Sequence, residues 1–288
     1  MRKFAYEVPQ SLSEATQILR HWGPEARALA GGTDLLVQIK EGGWVPACLV
    51  SLRRLDELKG IRPGEDGLWI GARTTMAELT AASALRPYAA LREGAGIIGS
   101  AQIRNVATIG GNLCNAAPSA DTAPGLIVLG AEAIIADGGQ RTVKVEDLFV
   151  GPGQTILQPG ELLTGLRIPA LPPRSGSAYL RHTPRAWMDI AVVGVASYIQ
   201  LDEAGRCVDV RIALGAVAPT PIRAPQAEAI LRGEVPTDQA IEAAAQQAMK
   251  EARPISDVRG SADYRRHLVS VLTRRTLQMA LARAQANQ

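Results

Sequence analysis

Two glycine pairs give this sequence its best candidates for holding an anion. The first lies in Leu29-Ala30-Gly31-Gly32-Thr33-Asp34-Leu35-Leu36. Without Cβ atoms, paired glycines bring the backbone close to a ligand and reach positive φ, which turns their amides outward. A helix starting near Leu35 adds unpaired N–H groups and the positive end of its dipole, an arrangement suited to phosphate. The second pair lies in Thr108-Ile109-Gly110-Gly111-Asn112, within a run that continues to Asp121. It repeats the device and adds polar side chains: Thr108 and Asn112 suit phosphate or ribityl oxygens, and Asp121 can accept from hydroxyls. Two such loops side by side could hold a pyrophosphate. Read one at a time, each pair is first of all a turn.

A third candidate, Tyr179-Leu180-Arg181-His182-Thr183-Pro184-Arg185-Ala186-Trp187-Met188-Asp189-Ile190-Ala191, sets cationic residues ahead of an acidic one and an apolar strand. Its plain reading is a strand and loop in which Arg185 and Asp189 form an ion pair. Gly94-Ala95-Gly96-Ile97-Ile98-Gly99 has the spacing of a dinucleotide fingerprint, but that fingerprint needs a preceding strand, and Tyr88 to Glu93 reads as helix. A Rossmann site is rejected. The run reads instead as a helix end packed closely on a neighbour, with Ile98 placed to touch a ligand. His21, His182 and His267 lack ligand spacing, and neither G-x-S-x-G nor H-E-x-x-H occurs. Cys48, Cys114 and Cys207 are too few and too far apart for a disulfide framework, a zinc ribbon or a four-thiolate cluster, so a reducing cytoplasm is expected.

The elements that must position these residues can be placed from pattern. Ser11 to Glu14 has capping-box form and opens a helix with Leu12, Ala15, Ile18, Leu19 and Trp22 on one face. A short strand from Arg27 to Ala30 leads into the first glycine pair. Strands are expected at 48–52, 68–72, 133–137, 141–145 and 162–168, with a second capping box, Thr75 to Glu78, opening a helix to about Ala82. Leu171 to Ser177 reads as a linker and sets the domain boundary. Beyond it come two apolar strands, 190–201 and 208–217, joined by a turn at Asp202 to Gly205, and then helices at about 225–232, 238–252 and 262–285. Leu268, Val271, Leu272, Arg275, Leu277 and Leu281 lie at helical spacing and form a stripe that serves either an internal core or a partner interface.

The chain has 288 residues, 47% of them hydrophobic and 20% charged, enough for about two domains. Its net charge of +3 is spread among acidic residues, so no basic stripe indicates nucleic acid. No apolar run reaches the roughly 18 residues of a membrane span, and no direct membrane insertion is expected.

Ala30-Gly31-Gly32-Thr33-Asp34-Leu35, the Thr108-to-Asp121 run, Gly160-Glu161-Leu162-Leu163, and Tyr179-x-Arg181 with Asp189-Ile190-Ala191 resemble, in order and spacing, the successive signatures of FAD-binding subunits of the molybdenum hydroxylases. The resemblance implies an α+β chain: a PCMH-type, vanillyl-alcohol-oxidase-like FAD domain over 1–176, with subdomains of about 1–55 and 56–176, then a CO dehydrogenase flavoprotein-like C-terminal domain over 177–288 of antiparallel sheet and helices. It implies that Leu29 to Leu36 and Thr108 to Asn112 bind the FAD diphosphate, and that Ile98, Asp121, Leu163, Tyr179 and Arg181 match further FAD-contacting positions. The family usually has lysine where this chain has Arg181, and a planar guanidinium fork does not replace a compact ammonium contact for contact. No tether residue has a counterpart, so FAD is expected to be non-covalent.

The resemblance further implies a large molybdenum pterin subunit that oxidises substrate and a small subunit with 2Fe–2S clusters, as a dimer of heterotrimers. The acceptor would be NAD, quinone, oxygen or a carrier. Flavin suits the exit position because it takes electrons singly and releases them in pairs. Two other readings stay open: a stand-alone PCMH-type flavin oxidoreductase, and a flavin-free scaffold.

Overall fold

The computed structural model describes residues 3–42, 45–186 and 188–287; Trp187 of the third motif lies outside them. Strands and helices are numbered in chain order. The chain opens with β1 (Ala5–Glu7), α1 (Leu12–Trp22), β2 (Ala26–Leu29), α2 (Leu35–Glu41) and β3 (Cys48–Ser51). The three strands pair in parallel in the order β1-β3-β2. Parallel pairing demands crossovers, which α1 and α2 provide. Ser11 caps α1 by accepting from the Glu14 amide at 3.2 Å. The return arm of the box reaches Gln10 and not Ser11: the Gln10 amide donates to Glu14 at 2.7 Å. Ala15 and Leu19 pack on Val50, Leu55 and Leu58 in a small core. β2 ends at Leu29, so the first glycine pair leaves the carboxyl end of a parallel sheet, where such sheets present ligand sites.

Next come β4 (Ile61–Gly64), β5 (Gly67–Gly71), α3 (Met76–Ala81), α4 (Ala89–Gly96), α5 (Ala101–Arg104), α6 (Ile109–Cys114) and α7 (Thr122–Val128). They are followed by β6 (Glu132–Ala136), β7 (Gln140–Lys144), the short pair β8 (Phe149–Gly151) and β9 (Gln154–Thr155), and β10 (Leu162–Pro169). The sheet runs β4-β5-β10-β6-β7, antiparallel throughout. Five helices are thus inserted between two of its strands, and their inner faces fill a core that includes Met76, Leu79, Leu91, Ile109, Leu113 and Leu126. The second capping box is complete: Thr75 accepts from the Glu78 amide at 3.2 Å, and the Thr75 amide donates to the Glu78 carboxylate at 2.8 Å.

The last part is β11 (Ser175–His182), β12 (Val193–Leu201), β13 (Cys207–Gly215) and β14 (Ile222–Arg223), an antiparallel sheet in sequential order, with α8 (Pro225–Leu231), α9 (Asp238–Glu251) and α10 (Ala262–Ala286). Val195, Ile199, Ile212 and Leu214 face these helices, whereas Tyr179, Ala196, Tyr198 and Ala213 join the core under α4 and α7. Both faces are covered along most of β12 and the second half of β13, which is why Val193 to Ile199 and Ile212 to Leu214 read as runs without a charged residue. Leu268, Leu272 and Leu277 of the C-terminal stripe lie in this core.

One expectation shifts. Ser175 to Ser177, polar enough to read as linker, already belong to β11 and pair with Gln200 to Tyr198. Only Leu171 to Arg174 connect. Packing overrides composition here, because Gly176 lies so close to α10 that a Cβ would collide with the Ala280 carbonyl.

Candidate functional site

The two glycine loops are brought together by backbone contact. A Cβ on Gly31 would overlap the carbonyl oxygen of Val106, two residues before Thr108, and no side chain relieves that because the obstacle is main chain. A second tie joins α2 to the residue after α6, where Gln38 donates to the Asn115 side chain at 3.2 Å.

The loops differ in what they offer. Around the first, the amides of Gly32, Thr33, Asp34 and Leu35 have no backbone acceptor among the described residues, and Gly32 sits at φ +73°. These four donors stand at a helix start, where amides have no intrahelical partner. Leu36 is exposed beside them, and burial pushes the Asp34 carboxyl up against a lowering hydrogen bond from Thr33. Leu29 and Ala30 are half-buried at the strand end.

In the second loop the amides are already engaged. Ile109 donates to the Thr74 carbonyl at 3.0 Å, Gly110 to Ala72 at 2.8 Å, Gly111 to the Thr108 hydroxyl at 3.1 Å and Asn112 to the Thr108 carbonyl at 3.0 Å. The expectation of a repeated amide device is corrected at this point: Ile109 and Gly110 are fully enclosed and work as packing, so the loop offers the bare Gly111 surface and the Asn112 side chain. Asn112 accepts from the Thr122 hydroxyl at 2.6 Å, which fixes its carboxamide and leaves its NH2 free to donate.

That bond leads to a second cluster. Asp121, next to Thr122, is buried, and both its oxygens are taken from β11: Tyr179 Oη donates to Oδ1 at 2.7 Å, and Arg181 Nη1 to Oδ2 at 2.5 Å. Asp121 and Arg181 are each 7% exposed at the side chain. Burial pushes the Asp121 carboxyl up, while Arg181 and the Tyr179 hydroxyl pull it down. Burial and the neighbouring carboxylate hold the Tyr179 hydroxyl well above its ordinary range. Arg181 Nη2 also donates to the Ile97 carbonyl at 3.0 Å, and Arg104 donates to the Ile98 carbonyl at 3.0 Å. The negative end of α4 is thus met by two cations. Ile98 is half-buried between them, and Gly94 packs against the Asp121 main chain, as the tight helix end anticipated.

Leu163 lies on β10 at a register break with β6, 4% exposed. Its neighbour Thr164 accepts from the Ala72 amide at 3.0 Å, and Ala72 accepts from Gly110, so β10 is linked to the second loop through one residue. Arg185 and Asp189 form the expected ion pair, at 3.3 Å. Sequence reasoning missed Arg104, Glu93 and Gly194. Glu93 accepts from the Tyr179 amide at 2.8 Å and pairs with Arg283 of α10 at 2.5 Å. No sequence pattern marks it.

Comparison with known proteins decides the family. Residues 2–171 match the family described as the FAD binding domain in molybdopterin dehydrogenase, and residues 178–280 match the CO dehydrogenase flavoprotein C-terminal domain. The chain belongs to the flavoprotein subunits of the molybdenum hydroxylases. Among these relatives is the xanthine dehydrogenase FAD-binding subunit of Escherichia coli O157:H7, 36% identical over 97% of this chain and 97% of its own length. The carbon monoxide dehydrogenase medium chain of Hydrogenophaga pseudoflava is 34% identical over 98% of both. Among solved structures, reconstituted CO dehydrogenase from Oligotropha carboxidovorans superposes with a TM-score of 0.93 at 35% identity, covering 98% of this chain and 99% of that one. As in those flavoprotein subunits, the fold is α+β, and the cofactor class is FAD within an oxidoreductase.

Proposed function

We propose that this chain is the electron outlet of a multi-subunit molybdenum hydroxylase. It would receive electrons from 2Fe–2S clusters of a small partner subunit and deliver them to an external acceptor: NAD, quinone, oxygen or a carrier. A large partner with a molybdenum pterin would oxidise the substrate. The relatives that support this reading carry names of dehydrogenases with several chains. FAD, when bound, supplies the conversion between single-electron and paired-electron transfer.

The observation that carries the cofactor assignment is the backbone contact of Gly31 with Val106, which joins the loop whose Gly32 to Leu35 amides lack backbone acceptors to the segment leading into Thr108 to Asn112. The residues fit an FAD diphosphate: Leu29 to Leu36 would supply backbone donors, and Thr108 to Asn112 would supply the Asn112 amide and a surface without a Cβ. Ile98, Asp121, Leu163 and Arg181 would line the flavin end. Catalysis here asks little acid–base chemistry of the protein, only placement and exclusion of water.

Purified full-length chain titrated with FAD tests the assignment. One equivalent bound with a flavin absorbance band is expected, together with no hydroxylase activity until molybdenum and 2Fe–2S partners are added. A colourless chain that takes up no FAD would favour the scaffold reading. A chain that oxidised substrate alone would favour the stand-alone oxidoreductase.

A further inference from the structure

On β11, Tyr179 and Arg181 are two residues apart and share a face, and each binds a different oxygen of one carboxylate, Asp121. The Tyr-x-Arg spacing therefore has a geometric purpose on this chain: two donors on one strand grip a single acceptor on the helix opposite. Tyr179 pairs across the sheet with Ala196, so Gly194 is its diagonal neighbour on β12. A Cβ on Gly194 would overlap the Tyr179 hydroxyl oxygen and lie 3.2 Å from its ring carbons. The ring is 2% exposed, and its hydroxyl is spent on Asp121.

We infer that Tyr179 is a positioning residue: its hydroxyl, seated over Gly194, fixes the Asp121 carboxylate so that Asp121 and Arg181 meet the flavin as one preset ion pair. The inference rests on the FAD assignment above and deepens it. Arg181 uses its two terminal nitrogens on Asp121 and Ile97 and is held from both sides, so a loosened Asp121 loosens Arg181 as well. The groups around Asp121 are accounted for. Arg181 and Tyr179 face it from β11, and Arg104 of α5 caps the neighbouring Ile98 carbonyl. Glu93 of α4 is turned to the Tyr179 amide, where Arg283 of α10 neutralises it. β12 and β13 bring the uncharged Gly194 and Gly215 to this corner.

Tyr179→Phe, Gly194→Ala and the double variant, made in the full chain and checked for cooperative unfolding, test the inference by FAD titration across pH. Without the hydroxyl, binding must also order Asp121, and the FAD dissociation constant is expected to rise roughly tenfold, about 1.4 kcal/mol. Gly194→Ala should do the same by displacing the hydroxyl. The double variant should be little worse than Tyr179→Phe, because the closest atom of the clash, the hydroxyl oxygen, is already gone. The hydroxyl favours the ionised form of Asp121, so its loss should move the acid limb of FAD affinity to higher pH, a change that mere loosening of the fold would not produce. Unchanged affinity and pH profile in Tyr179→Phe, or strictly additive effects of the two substitutions, overturn the inference while the flavoprotein reading stands. Wild-type chain that binds no FAD overturns both.

Discussion

At the residue scale, the structure makes sharply different demands on neighbouring positions. Gly31→Ala sets a methyl group against the Val106 carbonyl, and one of the two glycine loops must move. Overpacking of this kind costs about 1–3 kcal/mol. The expected outcome is a folded chain with a lowered thermal midpoint and the largest loss of FAD affinity in the first loop, measured by titration. Arg181 gives a graded test. Lysine keeps the charge but cannot fork between Asp121 and Ile97, so Arg181→Lys should lose stability while retaining most FAD affinity. Arg181→Met leaves the buried Asp121 unpaired and should cost about 3–5 kcal/mol in denaturant unfolding. The glycine pairs and the Tyr-x-Arg spacing were legible in the sequence because each is a local pattern. The pairing of Asp121 with Arg181 was not, since the two stand sixty positions apart and no period connects them.

At the scale of elements, capping residues spoke more clearly than propensity. Ser11 and Thr75 announced α1 and α3 through side chains that bond the first turn. α5, α6 and α7 have four to seven residues, too short for an apolar period to register, and they owe their existence to the core they close. The turn before β10 carries its own prediction. Glu161 accepts from Nε and Nη2 of Arg141 at 2.8 Å and from the Gln158 amide at 2.8 Å, so it ties the approach to Leu163 to β7, two places away in the sheet. Chiefly through the Arg141 hydrogen bonds, its carboxyl is held below the ordinary range. The stabilisation is complete above the unfolded value of about 4.3 and is lost as pH falls through the lower folded value. Arg141 is partly exposed, which limits the effect to about 1 kcal/mol or less. Glu161→Gln should lower urea stability slightly at neutral pH and match wild type in acid. An equal deficit at both pH values would refute the assignment.

At the scale of the whole molecule, the four-stranded sheet is a shared wall. One face belongs to α8, α9 and α10, and the other closes the core beneath α4 and α7, with Glu93, Arg283 and the Ser177 carbonyl bonded along the join. A chain cut after Arg174 is expected to expose the apolar side of α4 and α7, to aggregate, and to bind no FAD, as size-exclusion chromatography with absorbance detection would report. Among the described residues no helix is long and apolar enough to cross a membrane. The two-sided sheet was foreshadowed by the uncharged stretches Val193 to Ile199 of β12 and Ile212 to Leu214 of β13, whereas the start of β11 was hidden by its serines and glycine.

The grip of β11 on Asp121 also bears on when the protein becomes complete. Synthesis runs from the amino end, and domains generally form in that order. Asp121 therefore leaves the ribosome well before the strand that supplies Tyr179 and Arg181, and until that strand docks the carboxylate stays hydrated and α7 unfinished. On the proposed FAD assignment, the flavin end of the site is completed only once β11 has been made and has docked. On the proposed assignment, retained flavin reports that β11 has docked on Asp121.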